Sequence, residues 1–195
     1  MSQIDSAETL HRELVQLIAQ RAYERRRPGV SSGDSDFYID TKFVSLHPRG
    51  AYCIGQLILK RLKELDCHTV GGMSIGGIPI VSVIAALSDE ANWPVNAFFV
   101  RKDAESIPNA RKVEGNLDPG ARAVFVDDVI SGGTSTLRAI REVEAAGGSV
   151  DHVIVIVDRE DGGPDLLRAA GYTVASLVTR TDVEEFLTEY LGRLG

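Results

Sequence analysis

Residues 153–157 read VIVIV, a run in which every side chain is apolar and β-branched and no polar residue alternates with them. A strand with one wet face alternates apolar and polar residues, so a run like this must be covered on both sides. The run AVFV at 123–126 has the same character. Shorter apolar runs lie at 68–70, 95–100 and 173–177, and stretches with helical apolar spacing fall between them at 79–87, 135–146 and 164–170. Strand and helix alternating in this way predict an α/β fold, a twisted and mainly parallel sheet flanked by helices. Ligands of such sheets bind beyond the carboxyl ends of the strands, which directs attention to the loops after Val70, Val100, Val126 and Val157.

Upstream, Leu10, Leu14, Leu17 and Ile18 have the spacing of an amphipathic first helix, and Asp5 with Glu8 three residues on has the form of a capping box. Residues 25–36, rich in arginine, glycine and small polar residues, read as a turn or mobile loop, with a short strand at 37–40. A further helical pattern runs from 50 to 65, preceded by Pro48. No repeat or linker divides the chain, so residues 1–195 are expected to form a single domain.

A formal net charge of -7 disfavours broad contact with nucleic acid or an anionic membrane and leaves room only for a focused basic site. No apolar run approaches the roughly 20 residues of a membrane span. The polar start lacks a signal-peptide core, and the only cysteines are Cys53 and Cys67, both in apolar patterns, so a reducing cytoplasmic setting is expected. His11, His47, His68 and His152 lack ligand spacing, and no zinc site is expected.

The chemistry concentrates in AVFVDDVISGGTS. After the apolar run come Asp127 and Asp128, then Val129 and Ile130, then Ser131, Gly132, Gly133, Thr134 and Ser135 leading into a helix. Glycines let backbone approach a ligand, and amides at a helix start make a seat for a phosphate monoester. Acids beside a bare phosphate would repel it, so their task is to accept hydrogen bonds from vicinal hydroxyls or to hold a cation. A phosphorylated sugar satisfies both ends of the loop. The plainer alternative is a turn in which Ser135 caps a helix and nothing binds. No Gly-Lys-Ser/Thr follows the glycines and no GxGxxG occurs here, which excludes the P-loop and dinucleotide fingerprints.

AVFVDDVISGGTS resembles the phosphoribosyl pyrophosphate (PRPP) signature of type I phosphoribosyltransferases, with Gly132 where a threonine, serine or alanine is usual. DFYIDTKFVSLHPRG, VGGMSIGGIPI, VNAFFVRKD, KVEG and VDREDGG resemble segments of orotate phosphoribosyltransferases in the same order. The resemblance implies that fold with a flexible loop and a small hood to which the N-terminal segment contributes, a homodimer, Mg²⁺ reached through PRPP near Asp127 and Asp128, and transfer of a phosphoribosyl group to orotate, giving orotidine 5'-monophosphate and pyrophosphate in pyrimidine biosynthesis. Asp127 and Asp128 become the ribose contacts. Val129, Ile130 and the 131–135 turn become the phosphate cradle. Ser74, Ile75 and Gly76 become the pyrophosphate loop. Arg101 and Lys102 become pyrophosphate cations, Lys102 reaching across the dimer, and Phe37, Tyr38, Ser131 and Arg159 become base contacts.

Departures from the family pattern define the alternatives. In RKDAESIPNARKVEG, Glu105, Ile107 and Pro108 replace a lysine, a histidine and a glycine, so a carboxylate faces a highly anionic leaving group unless Arg111 or Lys112 compensates. Asp34 stands in a shortened turn where a basic residue is usual. These changes motivate transfer to another nitrogen base, or a non-catalytic PRPP-binding regulator.

Overall fold

The computed structural model describes residues 5–25, 37–102 and 111–193. Its elements in chain order are α1 (Ala7–Arg21), β1 (Tyr23–Arg25), β2 (Phe37–Ile39), α2 (Lys42–Ser45), α3 (Pro48–Glu64), β3 (Thr69–Met73), α4 (Gly77–Glu90), β4 (Asn96–Val100), β5 (Val113–Gly115), β6 (Arg122–Ile130), α5 (Thr134–Ala145), β7 (Ser149–Asp158), α6 (Gly163–Ala169), β8 (Thr173–Thr179) and α7 (Arg180–Gly192). Six strands form one sheet in the order β5-β4-β3-β6-β7-β8. Every pair in it is parallel except the β4–β5 edge. The α/β expectation is met, with an antiparallel edge strand that three residues of VEG were too short to signal.

Successive side chains of a strand face opposite ways, and the two central strands use both faces for core. Val124, Val126, Ile154 and Ile156 pack on one side with Leu14 and Ile18 of α1, Ile54, Ile58 and Leu62 of α3, and Ile80 and Ile84 of α4. Ala123, Phe125, Val153 and Val155 face the other side, against Ala139, Ile140 and Val143 of α5 and Leu167 of α6. The uninterrupted apolar runs follow from this double cover. β1 and β2 pair antiparallel as a separate ribbon, Tyr23 opposite Ile39 and Arg25 opposite Phe37. Phe37 and Ile39 join the core that α1 and α3 share, and Thr41, just after β2, reaches Asp128 near the carboxyl end of β6.

Several boundaries differ from the sequence reading for local reasons. Asp5 does not cap α1. Its carboxylate accepts from Arg49 Nη2 at 2.7 Å, and Ser6 takes the cap, its Oγ accepting the Thr9 amide at 3.1 Å. β6 does not stop at Val126, because Asp127, Val129 and Ile130 stay in register with Val155, Val157 and Asp158 of β7. β3 extends past Val70 through two glycines to Met73. The final helix α7, which the sequence reading left out, is opened by a capping box in which Thr179 and Asp182 satisfy each other's backbone amides. Both cysteines are buried and free, as core residues.

Gly71 shows how tightly β3 is packed. The ring of Phe98, itself buried, occupies the place where a Cβ on Gly71 would stand. Gly71→Ala should therefore lower the unfolding free energy by about 1–3 kcal/mol through overpacking, read as a lower urea midpoint with an unchanged slope.

Candidate active site

Because β6 continues to Ile130, Asp127 and Asp128 are strand neighbours and their carboxylates diverge. Asp127 is 2% exposed. Its Oδ2 accepts from Thr136 Oγ1 at 2.6 Å, and its Oδ1 accepts the Asp128 amide at 3.0 Å. Burial pushes its pKa up from 3.8 to about 7, and the neighbouring Asp128 charge adds to the rise against the lowering effect of Thr136. Asp128 points the other way. Its Oδ2 accepts from Thr41 Oγ1 at 3.0 Å, and its carboxylate lies so close to Gly76 that any side chain there would collide with it.

The turn after β6 is built to leave amides open. Gly133, at φ 76°, is the N-cap of α5, and no side chain caps that helix. A side chain at Gly133 would press on the Gly163 carbonyl at 2.8 Å, whereas Gly132 faces open space. Ser135 is therefore not a cap. Ser131, Gly132, Thr134 and Ser135 are exposed. Val129 and Ile130 keep their side chains on or in the core while bordering the same cavity, about 330 Å³, with Asp128 and Lys102.

A second compartment of about 480 Å³ adjoins it, lined by Lys42, Ser74, Ile75, Gly76 and the shared Met73, Lys102, Asp127 and Asp128. Gly76 is the N-cap of α4, again without a side-chain cap. The loop is anchored by the Ser74 amide on the Val100 carbonyl at 2.8 Å and by Ser74 Oγ accepting the Lys102 amide at 3.2 Å. Two helix N-termini thus converge on one cleft with Asp128 between them, which is two anion seats joined by a hydroxyl acceptor. A phosphorylated sugar with a second anionic group matches that order.

The remaining expected residues are distributed unevenly. Lys102 borders both compartments, whereas Arg101 Nη1 pairs with Glu114 Oε1 at 3.0 Å and lines an adjacent cavity. Lys112 pairs with Glu142 at 2.7 Å in that same cavity. Phe37 is buried, and the guanidinium carbons of Arg159 and Arg180 lie 4.8 and 4.1 Å from its ring centre. Phe37 therefore supports Arg159 from below, and Tyr38 is the partly exposed aromatic of the pair. Arg159 Nε also meets Asp161 Oδ2 at 3.1 Å. Asp34, Glu105, Ile107 and Pro108 lie outside the described residues.

Thr41 and Lys42 were missed as site residues. They sit inside the DFYIDTK segment, but no local spacing could reveal that Thr41 meets a carboxylate 87 positions later. Among the described residues no cluster of His, Cys, Asp and Glu could hold a metal unaided. Asp127 is committed to Thr136, so a Mg²⁺ ion fits only if a ligand's phosphate oxygens supply most of its coordination and Asp128 the protein contact.

Two outcomes follow from this geometry. A buried carboxylate whose folded pKa is raised favours folding at low pH and loses that contribution as pH climbs from about 4 to about 7. Asp127→Asn should consequently gain stability relative to the parent on going from pH 5 to pH 8, in paired denaturant titrations. Thr41→Val, which strips a donor from a charged acceptor, should lose about 2 kcal/mol, and Thr41→Ser should recover most of it.

No family model matches the chain. Orotate phosphoribosyltransferase of Nostoc sp. is 37% identical over 179 residues, covering 91% of this chain and 86% of the relative. That of Sorangium cellulosum is 39% identical over 173 residues, covering 87% and 90%. Among solved structures, Mycobacterium tuberculosis orotate phosphoribosyltransferase in complex with PRPP superposes with a TM-score of 0.72 at 27% identity, covering 92% of this chain and 93% of that one. With relatives above a third identical along nearly their whole length, and with a shared fold, this chain belongs to the orotate phosphoribosyltransferase family.

Proposed function

We propose that this protein transfers the phosphoribosyl group of PRPP to orotate, forming orotidine 5'-monophosphate and releasing pyrophosphate. The observation that carries the reading is the pair of uncapped helix N-termini, at Gly133 and Gly76, flanking Asp128. Amides of residues 131–135 take the 5'-phosphate, Asp128 accepts from the ribose hydroxyls, and amides of residues 74–76 take the pyrophosphate. Asp127, neutral or ionised near pH 7, backs the same sugar from within the core.

The C1–O bond to pyrophosphate breaks as the bond from C1 to a ring nitrogen of orotate forms, the proton of that nitrogen leaving to a pyrophosphate oxygen or solvent, and C1 carries oxocarbenium character between the two. Catalysis consists mainly of alignment and of placing fixed charge where it develops. Asp128 sits where it opposes positive charge at the sugar, and Lys102 where it meets the departing oxygens. Asp128 would be the protein contact for a Mg²⁺ ion held mainly by the pyrophosphate, and the ion would supply further neutralisation of the leaving group. Arg159, stacked on Phe37, presents a planar donor pair to the orotate carboxylate.

Phe43 on α2, Leu46 at its C-cap and Ile75 beside the cleft expose large apolar side chains, which supports a homodimer covering this end of the molecule. Two buried free thiols suit a reducing cytoplasm, and among the described residues no helix is long and apolar enough to cross a membrane.

A steady-state assay with PRPP, Mg²⁺ and a panel of free bases should give pyrophosphate release with orotate preferred. Arg159→Ala should raise KM for orotate on the order of 100-fold while leaving PRPP binding near the parent value. Turnover with an uncharged base but not with orotate would refute the assignment.

A further inference from the structure

We infer that Lys42 is the cation that meets the pyrophosphate group from the ribbon side of the cleft. The inference rests on the PRPP reading above and adds a residue to it. Lys42 lines the compartment formed by Ser74, Ile75 and Gly76, together with Lys102 and Asp128. Its ammonium is 2.7 Å from Asp40 Oδ1 and its side chain is 45% exposed, so it is held over the cleft yet still open to it.

The backbone that carries it is fixed. Thr41 is buried and donates to Asp128, and the Lys42 amide donates to Asp40 Oδ1 at 3.1 Å. The backbone at Lys42 is thus anchored on both sides, through Thr41 to Asp128 and through its own amide to Asp40.

Charge balance gives the residue a task. Among the described residues, the compartment holds Asp127 and Asp128 against Lys102 alone unless Lys42 is counted. Arg101 and Lys112 pair with Glu114 and Glu142. The segment 103–110, DAESIPNA, contains no lysine or arginine. A pyrophosphate ester brings several negative charges here, and when the C1–O bond breaks its electron pair stays on the pyrophosphate oxygen, so a nearby ammonium gains more in the transition state than before it. The ammonium is the more open partner, 45% exposed against 18% for Asp40, and Asp40 keeps the Lys42 amide as a donor when the ammonium turns to a polyanion.

Calorimetry on the parent, Lys42→Ala, Lys42→Gln and Lys42→Arg, with PRPP and Mg²⁺ and separately with orotidine 5'-monophosphate, tests this. The two ligands share ribose and 5'-phosphate and differ in pyrophosphate. Both neutral variants should weaken PRPP on the order of ten-fold and leave the nucleotide unchanged, Lys42→Arg should restore most of the loss, and kcat should fall in the neutral variants. Equal weakening of both ligands, or of neither, overturns the role of Lys42 while leaving the PRPP reading intact. A parent protein that binds neither ligand overturns both.

Discussion

Strand alternation at the end of β6 is the constraint on which the site depends. Two acids follow one another in a strand that is covered on both faces, so they cannot share an environment. Asp127 is turned into the core toward Thr136, and Asp128 is turned toward the ribbon and Thr41. Had the strand ended at Val126, both carboxylates would stand in a loop and repel each other across the cleft. Pairing with β7 through Ile130 prevents this, and it also delivers the chain to the Gly133 turn at a fixed height above the sheet.

The same constraint sets the electrostatics. Burying Asp127 raises its pKa into the neutral range, and two well-aligned donors limit the rise. Asp128 keeps its solvent-facing side and is steadied by a single hydroxyl and by the missing side chain at Gly76. Around this acidic centre the protein sets positive potential from backbone, the starts of α4 and α5, and from Lys102 and Lys42 at the far compartment. Acid in the middle and positive potential at both ends complements a sugar whose hydroxyls lie between a phosphate at one end and a pyrophosphate at the other.

Much of this was legible in sequence. VIVIV and AVFV implied a doubly covered sheet because β-branched residues without polar alternation have no wet face, and the glycines after DDVIS implied a backbone turn open to a ligand. What was hidden was whatever depended on pairing between distant segments. The continuation of β6 through polar residues comes from register with β7, the brief β5 exists only as a partner of β4, and the Thr41–Asp128 bond joins a ribbon to a sheet. Phe37, read as a base contact, is drawn under Arg159 and Arg180 by the packing of the ribbon, which periodicity over three residues cannot convey.

A crystal structure of the protein with PRPP bound tests the central claim most directly. The account predicts the 5'-phosphate on the amides at the start of α5, the ribose hydroxyls within hydrogen-bond distance of Asp128 with Thr41 still donating to it, and the pyrophosphate on residues 74–76. PRPP bound in another cleft, or in this one with its phosphates away from both helix starts, would contradict it.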